Sequence, residues 1–452
     1  MTGSTAPGRN VLRSTALHTD RYELTMLDAA LRDGTAHRRC VFELFGRRLP
    51  GGRRFGVVAG TGRLLSLIED FRFGDDELRF LRDERVVDAA TLEFLSAYRF
   101  RGSITGYREG ELYFPGSPIL TVEGTFAEAV VLETLALSVL NHDSAVATAA
   151  ARMSIAAGDR PLAEMGSRRA AEESAVGAAR AAYITGFSAT SNLEAGRRWG
   201  IPTMGTAAHA WTLLHDSEED AFRSQIDALG TDTTLLVDTY DTRRGVELAI
   251  QVAGTGLGGV RIDSGDLPIV AAEVRAQLDA LGATATKITV TSDLDEYAIA
   301  ALAASPVDAY GVGTSVVTGS GTPTAGMVYK LVARQADDGS WVAVAKASAD
   351  KGSTGGRKAA FRTREDGTAT RELIAVSDGY EQVDTPDEHA GARPLQVTLV
   401  SHGEADTAHL GRDGVQAARR HHAQVRAELP VRALALSKSD PAIPTVYVDA
   451  VE

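Results

Sequence analysis

The segment Ile201-Pro202-Thr203-Met204-Gly205-Thr206-Ala207-Ala208-His209-Ala210-Trp211 joins a short apolar run to a loop of small residues that carries one histidine. The run has the length of a buried strand. The small residues of the loop leave the imidazole of His209 accessible to a bulky anion. The same pattern, a short apolar run followed by polar and small residues, recurs through the second half of the chain and decides the fold.

Short strand-like runs alternate with helical segments between residues 162 and 312. The predicted strands are 162–165, 183–187, 201–204, 234–237, 259–262, 288–291 and 308–312. Regular β/α alternation implies a parallel sheet with crossover helices. Seven such units fit a closed or nearly closed barrel better than an open sheet. We therefore predict an α/β fold built on an irregular TIM-like (β/α) barrel of about seven strands.

The chain on either side of this region has a different pattern. Before it, predicted helices and strands mix up to residue 125, and a long helical stretch follows at 126–157 with an expected interruption near Asn141-His142-Asp143. After it, strands return at 328–334, 341–345 and 359–363, and a barrel does not need them. We predict a barrel domain of residues 126–326 and a discontinuous α+β domain of residues 1–125 with 327–452, ending in a solvated helix from about His409.

The composition limits the partners and the compartment. The 452 residues carry a net charge of −13, from 60 acidic and 47 basic side chains, so we expect no nucleic-acid partner. The single cysteine, Cys40, excludes an internal disulfide framework and fits a reducing compartment. Residues 1–10 lack the apolar core of a signal peptide, and the apolar stretch at 126–140 contains two glutamates. We expect a cytoplasmic protein with no membrane partner.

Active sites of barrels form at the carboxyl ends of the strands, and every predicted strand runs into polar or glycine-rich residues. These ends are Gly166-Ser167-Arg168-Arg169, Ser188-Ala189-Thr190, Gly205-Thr206 with His209, Asp238-Thr239-Tyr240-Asp241, Asp263-Ser264-Gly265-Asp266, Ser292-Asp293 and Gly313-Thr314-Ser315. Any one end has a structural explanation, because Ser, Thr and Asp cap helices and Gly forms turns. Seven together favour a functional site.

The residue types at these ends suggest specific chemistry. His209 is a competent nucleophile near neutral pH if a carboxylate holds its other nitrogen, and Asp238 is the candidate carboxylate. A structural hydrogen bond between the two residues is the alternative. Arg168 and Arg261 are suited to fork onto carboxylate or phosphate oxygens. Asp263 is suited to ribose hydroxyls or a phosphate-bound Mg²⁺, unless it only caps a helix.

Two further segments are basic or glycine-rich. Gly311-Val312-Gly313-Thr314-Ser315 offers backbone N–H groups and hydroxyls to a phosphate at a helix start. The basic residues of the later strands are expected to form a mobile loop that reaches a triphosphate or pyrophosphate; they are Lys346, Lys351, Arg357 and Lys358. No metal site built from side chains is predicted.

Five ordered motifs together closely resemble the nicotinate phosphoribosyltransferase family, of type II phosphoribosyltransferases. They are TDRYELTM at 19–26, EMGSRRA at 164–170, GTAAH at 205–209, VRIDSGD at 260–266 and GVGTS at 311–315. The resemblance covers residues from about 16 to about 365. It implies synthesis of nicotinate mononucleotide and pyrophosphate from nicotinate and phosphoribosyl pyrophosphate (PRPP), in NAD biosynthesis. It also implies ATP as a co-substrate, Mg²⁺ bound with PRPP and ATP, and a homodimer with shared active sites.

The resemblance carries roles onto individual residues. It implies that His209 becomes phosphorylated by ATP and that Asp238 orients it. The substrate contacts that it implies are Arg168 and Arg261 around the pyridine, Asp263 and Ser264 on the ribose side, Gly313 and Thr314 at the 5′-phosphate, and Tyr22 from the second subunit.

Two positions depart from the pattern of the relatives. Met165 stands where relatives often have a phenylalanine that stacks on the pyridine. Ser188 stands where the related nicotinamide enzyme has an aspartate, and a neutral hydroxyl would not repel the carboxylate of nicotinate. The second position therefore favours nicotinate as the base.

Three alternatives stay open at this stage. In the first, the base is nicotinamide or quinolinate instead of nicotinate. In the second, the barrel binds phosphorylated metabolites without catalysis. A Schiff-base aldolase is disfavoured, because none of the seven strand ends offers a lysine.

Overall fold

The computed structural model describes residues 14–346, 353–377 and 391–449. Its strands are β1 (Arg39–Gly46), β2 (Gly56–Val57), β3 (Ser103–Tyr107), β4 (Leu112–Tyr113), β5 (Leu120–Thr125), β6 (Leu162–Glu164), β7 (Ala189–Thr190), β8 (Thr234–Leu236), β9 (Gly259–Ile262), β10 (Lys287–Val290), β11 (Ala309–Val312), β12 (Met327–Gln335), β13 (Trp341–Ala343), β14 (Arg357–Glu365), β15 (Thr368–Ser377), β16 (Arg393–Pro394), β17 (Gln396–Ser401), β18 (Glu404–Ala405) and β19 (Thr445–Asp449). Its helices are α1 (Arg21–Asp33), α2 (Thr61–Glu69), α3 (Asp75–Asp83), α4 (Ala89–Ser96), α5 (Phe126–Val130), α6 (Glu133–Ala157), α7 (Glu172–Ile184), α8 (Leu193–Trp199), α9 (His209–Leu214), α10 (Glu218–Leu229), α11 (Thr242–Ala253), α12 (Leu267–Ala280), α13 (Glu296–Ala301), α14 (Thr314–Val317) and α15 (Gly411–Arg426).

A curled parallel sheet forms the half-barrel that carries the predicted strand ends. Its order is β7-β6-β11-β10-β9-β8, and helices connect its strands. Apolar side chains such as Val260, Ile288 and Val312 are fully buried between the sheet and these helices. One isolated parallel bridge, Thr190 with Thr203, continues the sheet beyond β7. Within the described residues no ladder connects this bridge to β8, so the six paired strands make a half-barrel.

The predicted strand at 183–187 is wrong, whereas five of the other six runs coincide with strands. Helix α7 continues to Ile184, and the strand that follows is Ala189–Thr190. Helix α7 is rich in alanine, the best helix former, and a short apolar run at its end cannot be told from a strand by periodicity alone. The run at 201–204 contributes only the bridge at Thr203. A closed barrel of seven strands stays a prediction.

An antiparallel sheet lies beside the half-barrel, in the order β13-β12-β1-β5-β3-β17-β18. Its strand β1 pairs with β5 on one side and with β12 on the other, so Phe42 stands opposite both Val122 and Leu331. Strands from both ends of the chain therefore share one sheet. A smaller sheet has the order β16-β14-β15-β19.

Helix α6 connects the two regions without the interruption predicted near Asn141. The break comes earlier, at residues 131–132 between α5 and α6. Asn141 lies inside α6 and uses its side chain on another element: Oδ1 accepts from Met327 N at 2.8 Å. The polar residue that suggested a helix end thus tethers the start of β12.

The later part of the chain differs from the prediction in two ways. Helix α15 is not fully solvated, because Val415 and Ala418 are buried against Val176 and Ala179 of α7. The predicted basic loop is also wrong for two of its residues. Lys358 is buried and its Nζ lies 2.9 Å from Glu43, and Arg357 pairs with Glu123 at 2.8 Å. Lys346 is exposed, and Lys351 lies outside the described residues.

No helix in the described part of the chain has the length and apolar character that crossing a bilayer requires.

A buried ion pair fixes the half-barrel to the antiparallel region. Arg180 of α7, 1% exposed, makes two hydrogen bonds to Glu109, which follows β3. The same carboxylate accepts the backbone N–H groups of Gly60 at 2.6 Å and Gly62 at 3.2 Å. Every partner of this carboxylate is therefore a donor, and removing the guanidinium would leave a buried negative charge unpaired.

We expect Arg180→Met to lower the free energy of unfolding by about 3–5 kcal/mol, the typical cost of breaking a buried ion pair from one side. Urea denaturation measures the change. Arg197→Met is the matched control, because the Arg197 side chain is 72% exposed and, among the described residues, pairs only with Glu194 of its own helix. Equal stability of the two variants would contradict this role for the pair.

Candidate active site

His209 lies at the carboxyl edge of the half-barrel, as the first residue of helix α9. Its Nδ1 is 3.1 Å from the Thr239 hydroxyl, in the segment that follows β8. Its Nε2 is 3.9 Å from Oδ2 of Asp263, which follows β9. The imidazole is 40% exposed, so it is accessible to a ligand while two neighbouring strand ends flank its two nitrogens.

Asp238 occupies a different place from the one expected for an orienting carboxylate. Its Oδ2 accepts from the backbone N–H of Asp263 at 2.8 Å and from the Ser264 hydroxyl at 2.7 Å. Among the described contacts, none joins Asp238 to His209. Oδ1 of Asp238 is buried and has no hydrogen-bond partner in the described chain. In this structure Asp238 fixes the loop after β9, and Thr239 is the direct neighbour of the imidazole.

Arg261 and Arg168 lie close together at the same edge. Arg261, in β9, donates from Nη1 to the Thr206 hydroxyl, and its Nε is buried without a described partner. Burial lowers the pKa of the Arg261 guanidinium, the charges of Asp263 and Asp238 oppose that shift, and the charge of Arg168 adds to it. Two guanidiniums near enough for the charge of one to act on the other, one of them with a donor that has no described partner, suit a planar carboxylate or a phosphate.

The strand ends of β6 and β11 pack closely and shape the floor beside these arginines. Met165 donates its backbone N–H to Val312 O at 2.7 Å. A Cβ atom at position 311 would lie 2.8 Å from the sulfur of Met165. A Cβ atom at position 166 would overlap the Val317 side chain and lie 2.8 Å from Gly313 O. Glycine is required at 311 and 166 by this close approach. Gly313 and the exposed Thr314 start the short helix α14.

Two predicted site residues are not brought to this edge. The backbone N–H and the hydroxyl of Ser188 both donate to Leu162 O, at 2.8 and 2.9 Å, and Leu162 begins β6. Ser188 therefore lies at the amino-terminal edge of the sheet, and Ser191 is the serine that follows β7 at the carboxyl edge. Tyr22 lies on α1, packed away from the half-barrel strands and 45% exposed. Burial and then the charge of Glu133 raise its pKa.

Four residues of the cluster were not assigned a role from the sequence. Thr206 accepts from Arg261, Thr239 contacts His209, and Thr291 donates to Asp263. Glu164 is fully buried at the end of β6 and accepts from Gly166 N and the Thr190 hydroxyl, both at 2.5 Å. Burial raises the pKa of the Glu164 carboxyl, against those two hydrogen bonds. Thr206 and Thr239 stood in the strand-end stretches, where hydroxyls are ordinary capping residues, and Thr291 was the last residue of a predicted strand, so none of the three gave a distinct signal.

The cluster at the carboxyl edge combines an accessible imidazole, two arginines and two carboxylates. A cleft of 1520 Å³ near Arg72, Arg99 and His402 shares none of these residues, so the chemistry and not the volume locates the site. Nε of Arg261 and Oδ1 of Asp238 are both buried here without a described partner, and such atoms are rare in proteins. A parallel half-barrel with this edge defines an enzyme that acts on anionic substrates at its strand ends.

Comparison with known proteins identifies the family. The model of the nicotinate phosphoribosyltransferase N-terminal domain matches residues 17–141, and that of the nicotinate phosphoribosyltransferase family matches residues 161–376. The chain is 55% identical over 445 residues to nicotinate phosphoribosyltransferase pncB1 of Mycobacterium tuberculosis, covering 96% of this chain and 95% of the relative. The chain therefore belongs to the nicotinate phosphoribosyltransferase family, and it is an enzyme.

Two further relatives extend this similarity. The nicotinate phosphoribosyltransferase of Bacillus subtilis is 41% identical over 360 residues, which cover 77% of this chain and 73% of the relative. The crystal structure of human nicotinic acid phosphoribosyltransferase superposes with a TM-score of 0.78 at 26% identity, covering 95% of this chain and 97% of that one.

We expect Thr239→Val to lower kcat/KM for phosphoribosyl transfer about tenfold, because the isosteric side chain removes the hydroxyl beside Nδ1 of His209. Thr239→Ser should keep most of the activity. Thr234→Val, at the first residue of β8, is the control. The initial rate of product formation is the readout, and a Thr239→Val enzyme as active as the Thr234→Val enzyme would contradict a role for this hydroxyl.

Proposed function

We propose that the enzyme makes nicotinate mononucleotide and pyrophosphate from nicotinate and PRPP, for NAD salvage, and that this transfer is coupled to hydrolysis of ATP through phosphorylated His209. The observation that carries the proposal is the convergence of His209, the arginine pair and Asp263 on one edge of the half-barrel. Membership of the family supplies the reaction, and the contacts of these residues support their roles.

The transfer needs little proton chemistry. The pyridine nitrogen attacks C1 of the ribose while the bond from C1 to pyrophosphate breaks, through an oxocarbenium-like centre. The chain must therefore orient the base and stabilise the departing charge. We assign Arg168 and Arg261 to the pyridine carboxylate, Asp263 and Ser264 to the ribose, and the backbone of Gly313 with Thr314 to the 5′-phosphate.

Mg²⁺ enters with the phosphates of PRPP and ATP in this proposal. In the described ranges no group of three or more His, Cys, Asp or Glu side chains could hold a metal. Mg²⁺ in phosphoryl sites commonly uses one or two carboxylates together with substrate phosphates. Oδ2 of Asp263 takes part in no described hydrogen bond, so Asp263 is the residue that would hold it. When bound, the ion neutralises charge on the leaving pyrophosphate.

The ATP step uses His209. One imidazole nitrogen attacks the γ-phosphorus of ATP, the bond to ADP breaks, and water later cleaves the phosphohistidine to release phosphate. The 40% exposure of the imidazole supports access by ATP. Coupling of this kind requires that the phosphorylated and free enzymes bind substrates and products differently.

Nicotinate is the favoured base, but for a different reason than Ser188. Because Ser188 lies at the far edge of the sheet, it supports no choice of base. The two neighbouring guanidiniums support nicotinate, since each can donate to its carboxylate, and nicotinamide has no such charge. Quinolinate carries a second carboxylate and is the closest competitor by charge.

We also propose that the enzyme is a cytoplasmic homodimer in which Tyr22 of one subunit enters the pyridine site of the other. The exposed apolar side chains Leu17, Tyr22 and Met26 support a subunit contact at α1. The pairing of β1 with β12 supports the division into a discontinuous domain, 1–125 with 327–452, and a phosphoribosyltransferase domain, 126–326.

Product formation from nicotinate, nicotinamide and quinolinate tests the function. With PRPP and Mg²⁺, we expect nicotinate mononucleotide as the main product and a further rise in its rate when ATP is added. Liquid chromatography of the nucleotides gives all three rates. A preference for either other base would reject nicotinate, and no product from any base would favour a barrel that binds phosphorylated metabolites without catalysis.

We expect His209→Ala to abolish substrate-dependent ATP hydrolysis while leaving a slow transfer that ATP no longer accelerates. Removing the imidazole deletes the phosphate acceptor but leaves the arginine pair and Asp263 in place. Released phosphate and nicotinate mononucleotide are measured in the same reaction. His215→Ala, a histidine of the same region whose Nδ1 contacts the Trp211 carbonyl, is the control. Normal ATP coupling in His209→Ala would remove His209 from the mechanism.

A further inference from the structure

Thr291 is a buried residue that follows strand β10 at the carboxyl edge. Its side chain contacts Asp263 of the site. Thr291 is 6% exposed, and its backbone N–H donates to Ile262 O at 2.9 Å, which continues the pairing of β10 with β9. Its hydroxyl lies 3.4 Å from the same Ile262 carbonyl and much closer to Oδ1 of Asp263. A hydroxyl has one hydrogen to donate, and the nearby carboxylate is the stronger acceptor.

The hydrogen bond from Thr291 divides the two oxygens of Asp263 between two tasks. Oδ1 is held by the buried hydroxyl, and Oδ2 is left without a hydrogen bond among the described contacts, 3.9 Å from Nε2 of His209. The backbone of Asp263 is fixed separately, through its N–H to Asp238 at 2.8 Å. Backbone and side chain are thus anchored by residues that follow two different strands, Asp238 after β8 and Thr291 after β10.

The residue after Thr291 has an uncommon backbone conformation. Ser292 has φ of 109°, a region that residues other than glycine rarely adopt. Such conformations cost energy and occur mainly at functional positions, where the surrounding structure enforces them. Here the uncommon turn begins directly after the residue that holds Asp263, and it ends the strand at the edge where the site lies.

We propose that Thr291 is a positioning residue for phosphoribosyl transfer, acting through Asp263. Resting on the proposed function, this inference adds a residue outside the five motifs of the family resemblance. Thr291 holds the Asp263 carboxylate so that Oδ2 meets the ribose side of PRPP and the Mg²⁺ bound with it. Without the hydroxyl, Asp263 can rotate about its side-chain bonds, and productive binding of PRPP must order it again.

The test compares Thr291→Val, Thr291→Ser and Thr289→Val with the native enzyme. Thr289 lies two residues earlier on β10, on the same face of the strand, and no hydrogen bond of its side chain is described, so it controls for loss of a hydroxyl inside the sheet. KM and kcat are measured for PRPP and for nicotinate separately, and binding of PRPP with Mg²⁺ is measured by calorimetry without nicotinate. Thermal unfolding verifies that each variant is folded.

We expect Thr291→Val to weaken binding of PRPP and to lower kcat/KM for PRPP about tenfold, with KM for nicotinate within about twofold of native. Thr291→Ser should restore most of the loss, and Thr289→Val should match the native enzyme. A folded Thr291→Val enzyme with native KM and affinity for PRPP would overturn the inference, as would equal losses for both substrates. An inactive native enzyme would instead reject the proposed function, so the two failures are distinguishable.

Discussion

The parallel direction of six very short strands is the constraint on which the site depends. Because parallel strands run the same way, the residues that follow them meet at one edge, whatever their separation in the chain. His209, Asp238, Asp263, Thr291 and Gly313 come from five different connections and share this edge. The same constraint excludes Ser188 from the site. Ser188 precedes β7, and a residue before a strand of this length lies about 10 Å from the residue that follows the strand. Three residues later, Ser191 is at the right edge.

A single carboxylate connects the strand ends of β8 and β9. Asp238 accepts two hydrogen bonds from the loop of Asp263 and Ser264, so it determines where that loop lies. In this structure the hydroxyl faces His209 and the carboxylate faces the loop. The expected His–Asp pair is thus replaced by a chain of contacts in which threonine hydroxyls contact His209 and Asp263.

The sequence predicted which residues meet at the carboxyl edge better than it predicted the number of strands in the sheet. The alternation of short apolar runs with polar ends was enough to place His209, Arg261 and Asp263 together. Arg261 and Asp263 lie at the end of β9, and His209 follows the apolar run at 201–204, which forms the bridge at Thr203. The strand count was less predictable. The apolar end of α7 cannot be told from a strand by its periodicity, although the alanine-rich residues before it favour a helix. The end of helix α5 at residues 131–132 carries no polar or glycine signal at all.

Side-chain pairing was the least predictable level. Nothing in the local sequence distinguishes Lys358, buried against Glu43 of a distant strand, from a mobile surface lysine. The roles of Thr239 and Thr291 were equally hidden, because a threonine after a strand is most often a cap. These contacts are set by the register between strands that are far apart in the chain, and register is a property of the folded sheet.

The electrostatics of the site are local and do not follow from the net charge. A chain with a net charge of −13 repels polyanions at long range, so the field of the whole protein does not attract PRPP or ATP. Attraction must come from the few donors at the edge. Burial disfavours the charged form of Arg261, and the charges of Asp263 and Asp238 favour it. Asp238, which holds the loop after β9, and Asp263, which lies in it, therefore also favour the charged form of Arg261. The geometry of this loop is thus linked to the charge that an anionic base would meet.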